Sequence, residues 1–212
     1  MKTFCAKNFP AISAVLRAGK VAILPTETIP GFSVDPGKFA ALKNLQKLKR
    51  RAAKKPFVIL VENFEAAEKL VEFSPLAKFF AQNFWTKKSP ATTLVLPRFE
   101  NSLPGFFPHE KFLAVRVPAA KTLRDFLKNF GAPIVSTSVN FAGEKPLLDW
   151  EKIAAKFGGA EVFPPEKNWK PSQNPSTILK IENENWKILR DENLLKNKIE
   201  KLATDFFSGT KN

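Results

Sequence analysis

Several residue types that usually carry catalysis are almost absent from this sequence. Its 212 residues include no tyrosine, one cysteine and one histidine. A single thiol cannot form an internal disulfide or a cysteine metal cluster. His109 lies in a loop rich in Pro, Gly and Phe, residues 103–110, where no Ser-His triad or histidine zinc site is readily assembled. No phenol can therefore serve as acid, base or nucleophile, and we expect His109 to be a surface loop residue.

Long apolar runs and acidic residues are also scarce. No run approaches the roughly eighteen apolar residues of a membrane span, and the N-terminus has no long apolar signal segment. These absences predict a soluble, cytoplasmic protein. The 34 Lys and Arg exceed the 20 Asp and Glu and give a net charge of +14. Such an excess favours a polyanionic partner, either nucleotide, nucleic acid or a phosphate-rich surface, although a lysine-rich composition can also be a genome-wide habit.

Apolar residues make up 44% of the chain, including 21 phenylalanines, so a substantial core is expected. The length and the lack of repeats or linkers predict one domain, residues 1–212. Apolar runs alternate with segments of helical period, which is typical of an α/β fold. Predicted strands are 21–24, 57–61, 89–97, 112–118, 133–135, 175–179 and 186–190, the last two forming a hairpin. Predicted helices are 11–18, 38–50, 64–71, 75–84, 121–130, 150–157 and a terminal helix of about 194–207.

Two of the apolar runs end abruptly in hydroxyl and amide side chains. The run 133–135 leads into Ser136–Gly143, and the run 21–24 leads into Pro25–Phe32. Open α/β sheets bind ligands at strand ends, so this repeated pattern predicts a site. Clusters of Ser, Thr and Asn are also typical of loops and helix caps, which remains the alternative. Residues 164–175, rich in Pro, Asn and Lys, predict a loop or a lid.

Basic residues are concentrated around one predicted helix end. Between Lys47 and Lys55 there are six of them and no acidic residue. This number exceeds what interaction with a helix dipole requires, so the segment predicts a polyphosphate clamp, with a solvated basic face as the alternative.

Arg116, in contrast, interrupts an apolar strand. A buried guanidinium needs a carboxylate from the protein or from a ligand, and the spacing leaves both open.

Six short motifs occur in a characteristic order along the chain. They are Pro-Thr-Glu-Thr-x-x-Gly at Pro25–Gly31, Lys-x-Arg at Lys49–Arg51, Ala-Val-Arg-Val-Pro at Ala114–Pro118, Ser-Thr-Ser-x-Asn-x-x-Gly at Ser136–Gly143, Pro-Ser-Thr at Pro175–Thr177 and Ile-Leu-Arg at Ile188–Arg190. Each motif alone is weak, but together they resemble the YrdC/TsaC family of threonylcarbamoyl-AMP synthases over about residues 8 to 192. The chain resembles the single-domain type, without the long C-terminal extension of two-domain relatives.

This resemblance implies a twisted mixed sheet with flanking helices and a basic concave cavity. It also implies synthesis of threonylcarbamoyl-AMP and pyrophosphate from L-threonine, bicarbonate and ATP. Other proteins of the pathway then transfer the group to tRNA, giving N6-threonylcarbamoyladenosine (t6A). Magnesium would accompany ATP, with no side-chain nucleophile, no protein metal ligands and no organic cofactor.

The resemblance also assigns residues to each substrate. Arg51, Lys55, Asn140 and Arg190 would bind ATP, and Lys49 with Arg51 would stabilise phosphate charge. Thr28, Arg116, Ser138 and Ser176 would bind threonine, with Arg116 on its carboxylate. Hydroxyl groups suit this substrate because its own hydroxyl has to be recognised, which an isosteric valine cannot satisfy. Glu27 could act as a base, but the resemblance does not require one.

The sequence departs from the family pattern at four places. Pro30 replaces an aromatic residue, often tyrosine, and Ser89–Thr93 lacks the glycine of a Pro-Gly-Pro-x-Thr stretch. Pro146–Leu148 replaces Ser-Pro-Thr and removes a nucleotide contact, and Glu192 replaces a glycine. These differences concern substrate binding more than the fold.

Two other functions were weighed against the enzyme. A protein of the same fold could bind double-stranded RNA or tRNA without making an adenylate, since phosphate contacts dominate such binding. That function has no use for a buried Arg116 or for the Ser138 and Ser176 hydroxyls, so we favour the enzyme. A carbamoyl-transfer module of hydrogenase maturation proteins belongs to longer chains with zinc-binding cysteines, which this sequence lacks.

Overall fold

The computed structural model describes residues 1–50, 57–103, 110–167 and 169–209. Arg51, Lys55 and His109 therefore lie outside the described residues. Within these ranges, nine strands form one mixed sheet of order β7-β1-β2-β6-β3-β5-β4-β8-β9. The strands are β1 (Ala22–Leu24), β2 (Gly31–Val34), β3 (Val58–Leu60), β4 (Thr92–Pro97), β5 (Phe112–Arg116), β6 (Ile134–Ser138), β7 (Glu161–Val162), β8 (Thr177–Glu182) and β9 (Asn185–Arg190). Three neighbouring pairs, β1–β7, β3–β5 and β4–β8, are parallel and the others are antiparallel.

The helices begin and end at residues suited to those positions. Asn63, Ser74 and Asp149 accept backbone hydrogen bonds at helix N-termini, and Gly131 closes one helix with φ of 73°. The α-helices are α1 (Phe9–Arg17), α2 (Phe39–Leu48), α3 (Phe64–Glu68), α4 (Pro75–Phe84), α5 (Lys121–Phe130), α6 (Trp150–Lys156) and α7 (Lys196–Gly209). No helix in the described ranges is long and apolar enough to cross a membrane.

Every helix and strand that the sequence predicts is present, with each end shifted by three residues or fewer. The sequence did not predict β2 or β7. At β2, Pro30–Gly31 suggested a turn, but Gly31–Val34 is a strand whose four residues are all buried between β1 and β6. Strand β6 also continues to Ser138, so its hydroxyl residues are paired in the sheet and do not form a loop. Central strands that are buried on both faces show no alternation of polar and apolar residues. Short strands of this kind therefore cannot be predicted from hydrophobic periodicity.

Two apolar clusters occupy the opposite faces of the sheet. The larger cluster joins the sheet to α2, α3, α4, α6 and α7, and the smaller one joins it to α1 and α5. Neighbouring residues of a strand alternate between the clusters, as pleating requires. In β6, Val135 packs in the larger cluster and Ile134 in the smaller, while in β3 the corresponding residues are Ile59 and Leu60. Ser136 and Val58 follow this alternation onto the α1–α5 face, where Val58 packs against the smaller cluster.

Candidate functional site

A cavity of about 310 Å³ lies on the face of the sheet that α1 and α5 leave open. Its walls come from the loop after β1, the loop after β6 and outward-facing residues of the sheet. The lining residues include Thr26, Thr28, Pro30, Gly31, Val58, Arg116, Ser136, Ser138, Asn140, Glu144, Pro146, Ser176 and Arg190. A larger depression of about 510 Å³ is lined by Gly19, Lys20 and Lys47, among others, and is distinct from this site.

The strand register explains why distant motifs meet here. Leu24 at the end of β1 pairs with Gly31 at the start of β2, and Gly31 pairs with Ser138 at the end of β6. Ser136 in turn pairs with Val58 at the start of β3. The loops after β1 and β6 therefore leave the sheet at the same edge. A cavity is therefore present at the strand ends where the sequence predicts a site, and it also extends over the open face of the sheet.

Thr26 and Thr28 form a buried hydroxyl pair at the end of β1. Their oxygens are 2.7 Å apart, and Thr26 Oγ1 also donates a hydrogen bond of 2.8 Å to the Ile29 carbonyl. Because Thr26 has one hydroxyl proton, Thr28 has to donate in the bond between them. The Thr28 oxygen consequently presents only lone pairs to a ligand. Thr28 was predicted as a site residue and Thr26 was not, although both belong to the Pro-Thr-Glu-Thr motif.

Arg116 and Glu27 form a buried ion pair beside the cavity. Arg116 Nε lies 3.5 Å from Glu27 Oε1, and the two side chains are 6% and 16% exposed. Among the described residues, neither Nε nor either Glu27 oxygen has a hydrogen-bond partner. Arg116 also lines the cavity. The sequence left open whether Arg116 meets a carboxylate of the protein or of a ligand. The structure places the Glu27 carboxylate near Nε, and Arg116 also borders the cavity.

Arg190 brings a second guanidinium to the same cavity. Its Nε and Nη2 donate to the Ser176 carbonyl at 2.9 and 2.8 Å. Burial lowers the pKa of Arg190, the positive charge of Arg116 lowers it further, and Glu192 raises it. An anion between or beside two neighbouring guanidiniums would stabilise the charge on Arg190. Glu192, one of the departures from the family pattern, therefore offsets part of this repulsion.

Ser176 contacts a further buried hydroxyl, that of Thr93, which was not among the predicted site residues. Its Oγ lies 2.8 Å from Thr93 Oγ1, and both residues are buried. Thr93 pairs with Ile178 in the parallel β4–β8 register, which fixes this contact. Although the segment Ser89–Thr93 lacks the glycine of the family pattern, it retains Thr93, whose hydroxyl contacts Ser176.

Ser138 and Asn140 are linked to Lys49 through a network of hydrogen bonds. Lys49 Nζ donates to the Asn140 backbone carbonyl at 3.1 Å, to Asn140 Oδ1 at 2.9 Å and to the Ser138 carbonyl. Ser138 Oγ donates to the same Oδ1 at 2.6 Å, and Asn140 Nδ2 donates to the Glu144 carbonyl at 2.6 Å. Ser138 and Asn140 line the cavity. The Lys49 ammonium contacts these two residues. Charge stabilisation by Lys49 stays a prediction.

The segment 164–175, predicted as a loop or lid, contacts the loop after β1. Trp169 Nε1 donates to the Thr26 carbonyl at 2.9 Å, and the Ser172 amide donates to the Glu27 carbonyl at 2.9 Å. These contacts hold the backbone around Thr28 in place. At the other departures, Pro30 and Pro146 line the cavity, while Leu147 packs against the core.

Gly31 allows close approach between β2 and β6. A Cβ atom at this position would lie 2.6 Å from Ser136 Oγ. We expect Gly31→Ala to lower the free energy of unfolding by about 1–3 kcal/mol, because the strands cannot separate without breaking their ladder. Denaturant unfolding measures this effect. Adding Ser136→Ala removes the clashing oxygen and should restore most of the loss; a double variant as unstable as the single one would contradict the explanation.

Known proteins resemble this chain in sequence and in fold. The Sua5/YciO/YrdC family model, which carries the description telomere recombination, matches residues 14–191. The threonylcarbamoyl-AMP synthase of Pseudoalteromonas atlantica is 28% identical over 161 residues, which cover 76% of this chain and 86% of that protein. The enzyme of the same name from Stenotrophomonas maltophilia is 31% identical over 140 residues, which cover 66% of this chain and 75% of that protein.

A solved structure gives the same result for the fold. The crystal structure of P. abyssi Sua5 complexed with L-threonine superposes with a TM-score of 0.81 at 27% identity. The match covers 92% of this chain, which spans only 57% of the P. abyssi chain. The fold class expected from the sequence is confirmed.

Proposed function

Because the chain belongs to the Sua5/YciO/YrdC family, we propose that it makes threonylcarbamoyl-AMP from L-threonine, bicarbonate and ATP. The single observation that carries this proposal is one cavity holding two guanidiniums and several oriented hydroxyls. Guanidiniums suit carboxylate and phosphate, and hydroxyls suit the amine and hydroxyl of an amino acid. The enzymes named threonylcarbamoyl-AMP synthase among the relatives support the same activity.

The proposed reaction has two bond-forming steps. Bicarbonate takes up a proton and loses water to give carbon dioxide. The threonine amine then attacks the carbon of carbon dioxide, loses a proton and becomes a carbamate. A carbamate oxygen then attacks the α-phosphorus of ATP, and the bond to the β-phosphate breaks with release of pyrophosphate. The protein has to orient the two substrates and stabilise charge on a phosphate in transit. This requirement agrees with a chain that has no tyrosine and only one cysteine and one histidine.

Threonine would bind at the Arg116 end of the cavity. We propose that Arg116 pairs with its carboxylate, since Glu27 Oε1 lies 3.5 Å from Nε without a hydrogen bond to it. Thr28 and Ser138 would accept hydrogen bonds from the threonine hydroxyl or nitrogen, and Ser176 would add a further contact. L-threonine in the P. abyssi Sua5 crystal structure supports binding of this amino acid by the fold.

ATP would bind alongside threonine. We propose contacts from Asn140 and Arg190, with phosphate contacts from Arg51 and Lys55, which lie outside the described residues. Magnesium would enter with the phosphates as part of this substrate, since phosphate oxygens are its ordinary ligands. No group of three or more His, Cys, Asp or Glu side chains in the described ranges could hold a metal ion.

The product is a mixed anhydride that a further reaction must consume. We propose that other t6A-pathway proteins transfer its threonylcarbamoyl group to tRNA. Direct RNA binding by the chain is the second candidate, since the net charge of +14 would favour it.

A substrate-replacement assay tests the proposed activity. Purified protein with ATP, Mg²⁺, labelled bicarbonate and threonine should form labelled threonylcarbamoyl-AMP and pyrophosphate. Replacement of threonine by valine should reduce product formation by at least about 100-fold, because the buried hydroxyl acceptors would lose their donor. Absence of both products with threonine, together with tight RNA binding, would instead support the RNA-binding function.

A further inference from the structure

Lys49 differs in environment from the other basic residues at the end of α2. Lys47 and Arg50 are exposed, whereas Lys49 is 1% exposed. Its ammonium lies 5.4 Å from the centre of the Phe32 ring and donates to three oxygens of the Ser138–Asn140 loop. Its backbone carbonyl accepts a hydrogen bond of 2.8 Å from the Ala142 amide. Lys49 thus holds this loop through both its side chain and its backbone.

The ammonium also determines which way the Asn140 amide faces. Because an ammonium can only donate, the Asn140 atom 2.9 Å from Lys49 Nζ has to be the amide oxygen. Ser138 Oγ lies 2.6 Å from the same oxygen, so its hydroxyl proton has to point there. Ser138 is left with lone pairs for a ligand. Asn140 is left with one N–H, because the other donates to the Glu144 carbonyl.

We infer that Lys49 is a positioning residue that fixes the hydrogen-bond polarity of the cavity. It makes Ser138 an acceptor and Asn140 a donor toward the ligand, and it acts through the loop without touching phosphate. The assignment of ligand groups to these two residues rests on the proposed function. Ser138 receives the nitrogen or hydroxyl proton of threonine, and Asn140 donates to an acceptor atom of the nucleotide.

Nucleotides that differ only in phosphate number test this inference. Lys49→Met removes the donors at similar length, and Lys47→Met is the matched control on the exposed face of the same helix end. Binding of adenosine, AMP, ATP and threonine is measured by titration calorimetry. We expect Lys49→Met to weaken all four by a similar factor, about 10- to 100-fold, since each lost oriented bond changes affinity by about this much. Lys47→Met should change adenosine and threonine binding by less than about twofold.

Two outcomes would overturn the inference. One is a loss that increases from adenosine to ATP while threonine binding is unchanged, which would make Lys49 a phosphate ligand. The other is additivity in a double-mutant cycle of Lys49→Met and Asn140→Ala. If Lys49 acts through Asn140, the double variant should bind AMP about as weakly as the weaker single variant.

Measurements without a ligand separate this inference from the proposed function. Hydrogen exchange at the Ala142 and Leu147 amides should accelerate in Lys49→Met, while α4 amides exchange as in the wild type. Unchanged exchange in the loop would refute the positioning role. If Lys49→Met does not fold, the side-chain ¹H–¹⁵N signal of Lys49 in the wild type decides: a signal shifted equally by adenosine and ATP supports the inference, and one shifted only by ATP refutes it. Failure of the wild type to bind threonine and ATP would refute the proposed function alone.

Discussion

Replacement of Arg116 by alanine is expected to weaken threonine binding by about 100-fold while changing ATP binding by less than about fivefold. The reason is that a guanidinium paired with a carboxylate makes charge-assisted hydrogen bonds, each of which stabilises a complex more than a neutral bond does. Titration calorimetry with each ligand separately measures both affinities. Arg51→Ala should show the reverse pattern. Equal loss of both ligands in each variant would show that the proposed division of the cavity is wrong.

The same substitution should also affect stability, because Glu27 would remain buried without a cation. The pair is 6% and 16% exposed, and removal of one partner of a buried ion pair costs about 3–5 kcal/mol of unfolding free energy. Adding Glu27→Gln removes the orphaned charge. The double variant should therefore regain most of the stability while threonine binding stays weak. Recovery of threonine binding in the double variant would mean that Arg116 serves Glu27 and not the substrate.

Replacement of Phe126 by alanine is expected to produce the largest loss of stability among single substitutions in the smaller apolar cluster. Phe126 is 0% exposed and contacts Phe4, Phe9 and Phe130, with ring centres 5.7, 5.3 and 5.8 Å away. Its truncation leaves a cavity between α1, α5 and the sheet. We expect the free energy of unfolding to fall by about 3–5 kcal/mol, measured by denaturant unfolding.

Phe39→Ala is the matched control for this substitution. Phe39 lies at the start of α2 and is 45% exposed, so its truncation creates no internal cavity. We expect a change below about 1 kcal/mol. Similar losses at Phe126 and Phe39 would contradict the packing of Phe126 in the smaller cluster. Threonine affinity of folded Phe126→Ala should match the wild type, because the ring lies outside the cavity lining.

Much of the fold could be predicted because its elements obey local rules. The helix over Lys121–Phe130 was predicted at its observed ends, since its apolar residues recur at helical spacing and Gly131 follows it. Strand β2 could not be predicted, because four consecutive buried residues have no period and Pro30–Gly31 resembles a turn.

Part of the candidate site could also be predicted from the sequence. Thr28, Arg116, Ser138, Asn140, Ser176 and Arg190 were selected from motifs, and the structure brings all six to one cavity. Their individual roles toward ATP and threonine stay predictions. Thr26 and Thr93 were not predicted, because each acts on another hydroxyl. Thr26 orients the hydroxyl proton of Thr28, and Thr93 contacts the hydroxyl of Ser176.

The sequence by itself determined the fold class, the order of the motifs and the family, since periodicity and short motifs are local properties of a chain. The tertiary structure alone decided where each side chain lies and which groups it contacts. Strand pairing over long separations placed Ser138 beside Gly31 and Ser136 beside Val58, which no local pattern encodes. Burial then separated Lys49 from Lys47 and Arg50, which look alike in a run of basic residues. A lysine at 1% exposure has to satisfy its three donors within the protein, so it orients the loop that carries Ser138 and Asn140.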